Sequence, residues 1–298
     1  MAQNQQVMKA SKVNLDNINL SEPRKFGDKG VQIVFVNYGT DNSSLYIQTP
    51  KANVVWDSKY FADNDDSGKY SIVISMSNMG SDAQMASFHN KMTELDEYLI
   101  DAAYENRAAW FSRGAKLSRE TIETLYTPMI KVSVDSETGE PNGKFPPSFK
   151  LKVKKKDGKH ECSIYDVDKK SYNVDDKNDP DFVDLESVIT KGSTMNVILK
   201  CNGIWLINNK FGCTWNAEQI MVTTRPTKAL NGCAFIDDED DEDTAQDTVS
   251  EKVVNEMVQN VVDDSESDSD DEEESEPVPV PAPAQATPKK KRVVKKKA

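Results

Sequence analysis

The residues best suited to chemistry in this chain are aromatic rings and lysines, and the two interleave. Within Met195–Val222, MNVILKCNGIWLINNKFGCTWNAEQIMV, Trp205, Phe211 and Trp215 stand among Lys200 and Lys210. A second cluster lies upstream, where Lys150, Lys152 and Lys154 alternate with Phe149, Leu151 and Val153. Flat aromatic faces accept stacked bases, and ammonium groups follow a phosphate backbone. Together they suit a single-stranded nucleic acid. Each cluster also has a plainer reading. Aromatic rings carry much of any core's buried area, and lysines along an edge strand block edge-to-edge pairing. On the sequence alone both readings stand, since both leave the lysines exposed.

Other chemistries find little support. No G-x-x-x-x-G-K-[ST] loop, no strand-linked G-x-G-x-x-G and no G-x-S-x-G elbow occurs. The two histidines, His89 and His160, leave little room for histidine-based catalysis. The four cysteines, Cys162, Cys201, Cys213 and Cys233, contain no C-x-x-C pair, whereas a zinc site needs four suitably spaced ligands. Asp63–Gly68 mimics the start of a calcium loop, but the twelfth position is Ile74 instead of Glu. A binding protein is expected, not an enzyme, with no cofactor and no metal. Scattered thiols suit a reducing compartment. No apolar run approaches a membrane span, and MAQNQQVMKASK lacks the apolar middle of a secretory signal. An intracellular protein without a membrane partner is therefore expected.

The elements that must position these residues read as mainly β with inserted helices. Val31–Asn37, Leu45–Thr49 and Tyr70–Met76 are apolar and β-rich, the second stopped by Pro50. Met85, Phe88, Met92, Leu95, Leu99 and Ala102 recur in steps of three and four. That spacing predicts an amphipathic helix over Met85–Ala102, capped by Ser81 or Asp82. A shorter helix is predicted from about Ser118 to Tyr126, and a strand through Ile130, Val132 and Val134. Asp157-Gly158 between alternating runs predicts a hairpin with one apolar face and one lysine face. In the Met195–Val222 stretch, Asn202-Gly203 and Asn208-Asn209 divide three short runs, which predicts a meander.

Charge divides the chain. Residues Asp237 to Ala298 carry 20 acidic and 8 basic of the chain's 50 acidic and 37 basic residues, which leaves 30 and 29 for residues 1–236. The formal charge of −13 is thus a property of the tail, and the body can present local basic patches. Acidic runs at Asp237–Asp243 and Asp263–Glu276 repel themselves and predict disorder. Ser265, Ser267 and Ser269 sit among carboxylates that an acidophilic kinase would recognise. A Pro-rich spacer precedes a basic terminus in which Pro288, Lys289, Lys290, Lys291 and Arg292 read as a nuclear localisation signal for an import receptor. The expected organisation is a flexible N-terminal arm at 1–25, a folded domain at 26–236 and a disordered tail at 237–298.

Several short pieces resemble a known family: Leu45-Tyr-Ile-Gln-Thr-Pro-Lys51, Ala109-Trp-Phe111, Tyr126-Thr-Pro128, Pro147-Ser-Phe-Lys-Leu151, Gly203-Ile-Trp-Leu-Ile-Asn-Asn-Lys-Phe-Gly212 and Gln219-Ile-Met-Val222. In that order they resemble the OB-fold single-stranded-DNA-binding proteins of nucleocytoplasmic large DNA viruses. Those are distantly similar to the podovirus replication single-strand-binding protein. The resemblance implies a five-stranded Greek-key barrel (the OB-fold) with an inserted helix and extra hairpins. It implies sequence-tolerant coating of single-stranded DNA in viral replication or recombination, with an acidic tail that docks replication proteins. Lys150, Lys152, Lys154, Lys200 and Lys210 are the phosphate candidates, and Trp205, Phe211 and Trp215 the stacking candidates. The expected location is the host nucleus or an intracellular replication site. The rival is a nuclear histone-chaperone-like or scaffold protein that acts through its acidic tail.

Overall fold

The computed structural model describes residues 6–26, 31–64 and 66–226. All of them lie in one compact unit, Met1–Cys233. In chain order its strands begin with β1 (Val7–Lys9), β2 (Ile18–Leu20), β3 (Arg24–Phe26), β4 (Val31–Val34) and β5 (Val36–Tyr38). Next come β6 (Ser43–Ser44), β7 (Tyr46–Gln48), β8 (Ala52–Asn53), β9 (Lys59–Ala62) and β10 (Gly68–Ser75). A helical section follows: α1 (Ala83–Glu105), α2 (Arg107–Trp110) and α3 (Arg119–Leu125). The chain then returns to sheet with β11 (Tyr126–Thr127), β12 (Ile130–Lys131), β13 (Ser148–Lys156), β14 (Lys159–His160) and β15 (Ser163–Tyr165). A short helix, α4 (Leu185–Val188), precedes the two longest strands, β16 (Thr194–Ile207) and β17 (Lys210–Thr224).

Five chain segments make the barrel. Residues 46–54, carrying β7 and β8, pair antiparallel with β16. β16 pairs antiparallel with β17, and β17 meets β13 in parallel at Lys152 and Asn216. β13 pairs antiparallel with β10 along the full length of β10. No ladder joins β10 back to the first segment. Val54 bridges Ile74 there, and the Val55 N–H donates to the Val73 carbonyl at 2.9 Å. Numbered one to five along the chain, the segments run 1-2-3-5-4 and return to 1 through that narrow seam. This is the partly open five-stranded Greek key of an OB-fold. The mainly β class with inserted helices and added hairpins is therefore observed.

Period-two alternation decides what fills the barrel. Phe149, Leu151 and Val153 of β13, Ile72 and Ile74 of β10, and Leu199 and Trp215 of the last hairpin are buried. The helical stripe is also buried as its spacing required, from Met85 through Phe88, Met92, Leu95 and Leu99 to Ala102. Asp82 caps α1, its side chain accepting the Gln84 N–H at 2.8 Å. Phe88 meets Phe149 edge-on at 5.5 Å between centroids, which joins the helix to the barrel interior.

Two expectations change. The Met195–Val222 stretch is not three short runs but one long hairpin. Asn208 and Asn209, both at positive φ, make its turn. Asn202-Gly203 does not turn the chain. It marks a shift in register within β16, with Gly203 at φ +107°, where a β-carbon would come within 2.7 Å of the Val34 carbonyl oxygen. The N-terminal residues are also more integrated than an arm at 1–25 implies. β1 pairs in parallel with β7, and Ala10, Val13 and Ile18 join the core. The Asp157-Gly158 turn is formed as expected, with φ of 50° and 78°.

Candidate nucleic-acid interface

The alternation that buries Phe149, Leu151 and Val153 sends Lys150, Lys152 and Lys154 to the outer face of β13. Cross-strand register then collects further residues on that face. Lys154 is opposite Lys69, which is opposite Phe61 on β9. Lys152 is opposite Ser71, which is opposite Lys59. On its other side Lys152 registers with Asn216, Asn216 with Lys200, and Lys200 with Tyr46. A transverse row thus crosses six strands: Lys59, Ser71, Lys152, Asn216, Lys200 and Tyr46. Neighbouring strands lie about 4.8 Å apart and alternate residues on one strand about 7 Å apart. The lysines therefore form a two-dimensional array on one face of the sheet.

Lys200 is tuned to stay charged. Burial pulls its pKa down, but the Glu218 carboxylate at 3.7 Å and Tyr46 outweigh that and hold it above the usual lysine value. Its ammonium lies 5.7 Å from the Tyr46 ring centroid. Asn216 is buried between Lys152 and Lys200, its amide donating to Asn202 Oδ1 at 3.3 Å.

Trp205 belongs to the same side of the hairpin but to its far end, about 15 Å along β16 from Lys200. It is half-buried and its ring packs against Gly212, its cross-strand partner. A β-carbon at Gly212 would meet Trp205 Cζ2 at 2.8 Å, so glycine is what lets the ring lie there. Lys210 opens β17 at the exposed turn, opposite Ile207.

Phe211 and Trp215 are a correction. Phe211 is 0% exposed and Trp215 1% exposed. Phe211 packs on Phe111 and Tyr126 at 5.4 and 5.0 Å, while Trp215 packs on Phe149 at 6.4 Å and donates its indole N–H to Met129 Sδ at 2.9 Å. Neither ring has a face for a base in this arrangement, because both occupy inward positions of β17. The structure thus gathers Lys150, Lys152, Lys154 and Lys200 on one face. Trp205 and Lys210 lie toward the hairpin tip, and Phe211 and Trp215 lie inside. Sequence reasoning missed Lys59, Lys69 and Phe61. The alternation of Lys59-Tyr60-Phe61 before the Asp63–Gly68 turn was the available signal for a paired outer face.

Among the described residues no group of three or more His, Cys, Asp or Glu could hold a metal ion. No described helix is long and apolar enough to cross a membrane. The localisation signal at Pro288–Arg292, the serines at 265, 267 and 269, and both acidic runs lie outside the described residues.

Comparison with known proteins gives one family and several similar solved structures. A model described as a family of unknown function (DUF5871) matches residues 73–237, more than half of the chain. No curated protein matches. Among solved structures the chain is similar to gp2.5, a single-stranded DNA binding protein encoded by bacteriophage T7. Identity is 16% and the TM-score 0.38, over 69% of this chain and 100% of that one. It is also similar to the single-stranded DNA-binding protein from bacteriophage Enc34 in complex with single-stranded DNA. There identity is 10% and the TM-score 0.37, over 69% of this chain and 96% of that one.

Proposed function

This chain belongs to the family of unknown function DUF5871, and we propose that it binds single-stranded DNA across the lysine-bearing face of its barrel. The observation that carries this reading is the position of β13. Edge protection is the plain explanation for a row of lysines, yet β13 lies between β10 and β17 in the sheet order. A strand paired on both sides needs no such protection. Three lysines at alternate positions there, joined in register by Lys59, Lys69 and Lys200, are instead suited to a run of phosphates. In OB-folds generally the outer face of the second and third strands is where oligonucleotides bind, and β10 and β13 are those strands here.

Trp205 supplies a stacking surface at the hairpin tip, with Lys210 beside the turn. Contacts of this kind read charge and ring faces, not base edges, so binding is tolerant of sequence. The ordered short motifs that resemble viral single-strand-binding proteins support a role in viral DNA replication or recombination. In that reading the acidic tail modulates binding and docks replication proteins, and the basic terminus directs the chain to the host nucleus.

The test replaces Lys150, Lys152 and Lys154 together by Gln in the full chain. Each phosphate contact on a single strand contributes about 0.7 to the slope of log affinity against log salt. The triple variant is expected to bind labelled oligo-dT more weakly, with a slope shallower by about 2. An unchanged slope would remove this face from the DNA path.

A further inference from the structure

We propose that the DNA track continues beyond the barrel onto β9, where Phe61 serves as a base-stacking platform; this rests on the single-strand reading above. Phe61 stands in a strand, yet the residue is 37% exposed. Register puts it at the end of the row Phe61, Lys69, Lys154, on the outer face. Lys59, two residues earlier on the same face, holds its ammonium 5.4 Å from the Phe61 ring centroid. A base laid on this ring would have its phosphates flanked by lysines from three strands.

Packing of β9 against β10 does not explain the ring. The inward position of β9 is Tyr60, which meets Tyr70 at 4.7 Å between centroids and has the Lys155 ammonium 5.9 Å above it. That cluster already fills the inner side. The backbone around Phe61 is nonetheless held tightly. A β-carbon at Gly68 would come within 2.4 Å of the Phe61 carbonyl oxygen and 2.6 Å of the Tyr60 hydroxyl. Glycine there draws β9 close against β10 and fixes where the Phe61 side chain emerges. Beyond it, the exposed Asp63 and Asp66 of the turn would repel phosphate and bound the track at that end. An exposed apolar ring with an ammonium beside it fits a ligand that is both flat and anionic. A single strand meets both conditions, and aromatic stacking on it tolerates any base.

The experiment compares wild type, Phe61→Ala, Phe61→Leu and Phe61→Trp in the full chain. Affinity for labelled oligo-dT is measured by anisotropy, with thermal melts as the control for folding. Stacking predicts that Phe61→Ala weakens binding about five- to 100-fold. Phe61→Leu, equally apolar but not flat, is expected to stay weak, and Phe61→Trp to bind like wild type. Wild-type affinity in Phe61→Ala, or equal affinity in the Leu and Trp variants, would overturn the platform. A wild-type chain that ignores oligo-dT would instead overturn the single-strand reading itself, and the two failures are distinguishable.

Discussion

Trp205 and Trp215 lie on the two strands of one hairpin and serve opposite sides of it. Trp215 is sealed against Phe149 and Met129, and Trp205 covers Gly212 from outside. Substitution separates the two roles. Trp205→Ala is expected to weaken single-strand binding by about 1–3 kcal/mol with little change in stability. Phe211→Ala and Trp215→Ala are expected to destabilise the fold by about 3–5 kcal/mol. Titration with oligo-dT beside urea denaturation checks both, and a stable, binding-competent Trp215→Ala protein would contradict the assignment. The sequence shows three rings interleaved with lysines but not which ring faces where. Strand parity would decide it, and the register shift near Asn202-Gly203 breaks parity within β16. The lysines of β13 were legible because no such shift interrupts Phe149–Lys154.

At the scale of elements, α1 is latched to the barrel by one buried carboxyl. Asp96 accepts a short hydrogen bond from the Tyr126 hydroxyl and another from the Met129 N–H at 3.3 Å. Met129 in turn accepts from Trp215. Burial pushes the Asp96 carboxyl up to about 6, against the pull of those two hydrogen bonds. The sign follows from linkage. The folded state holds the proton more tightly than an unfolded chain, whose carboxyl titrates near 3.8. The stabilisation from protonation is therefore complete below about pH 4 and is lost as pH rises through about 6. At pH 7 it amounts to a loss of about 3 kcal/mol or less. Asp96→Asn is expected to flatten the difference in unfolding free energy between pH 5 and pH 7. The measurement is urea denaturation at the two pH values, and an unchanged difference would move the effect to another group. The helix itself was plain from its stripe. Asp96 was not, since it follows Leu95 just off that stripe and its partner Tyr126 is distant in sequence.

At the scale of the molecule, the ring of five segments was foreseen from the order of short motifs, not from any one run. The seam at Val54 and Ile74 and the single parallel contact at Lys152 and Asn216 carry no sequence signal, because both depend on how distant strands meet. The same parallel contact makes the site, since it joins the β13 lysines to Lys200. Net charge of −13 gives no hint of this, because the acids concentrate after residue 236. The most direct test is anisotropy of labelled oligo-dT with the full chain across a salt series, with a duplex of equal length as competitor. Lys59, Lys69, Lys150, Lys152, Lys154 and Lys200 acting together predict strong single-strand preference and a salt slope of about −4. Equal competition by the duplex, or no binding at the lowest salt, would contradict the account.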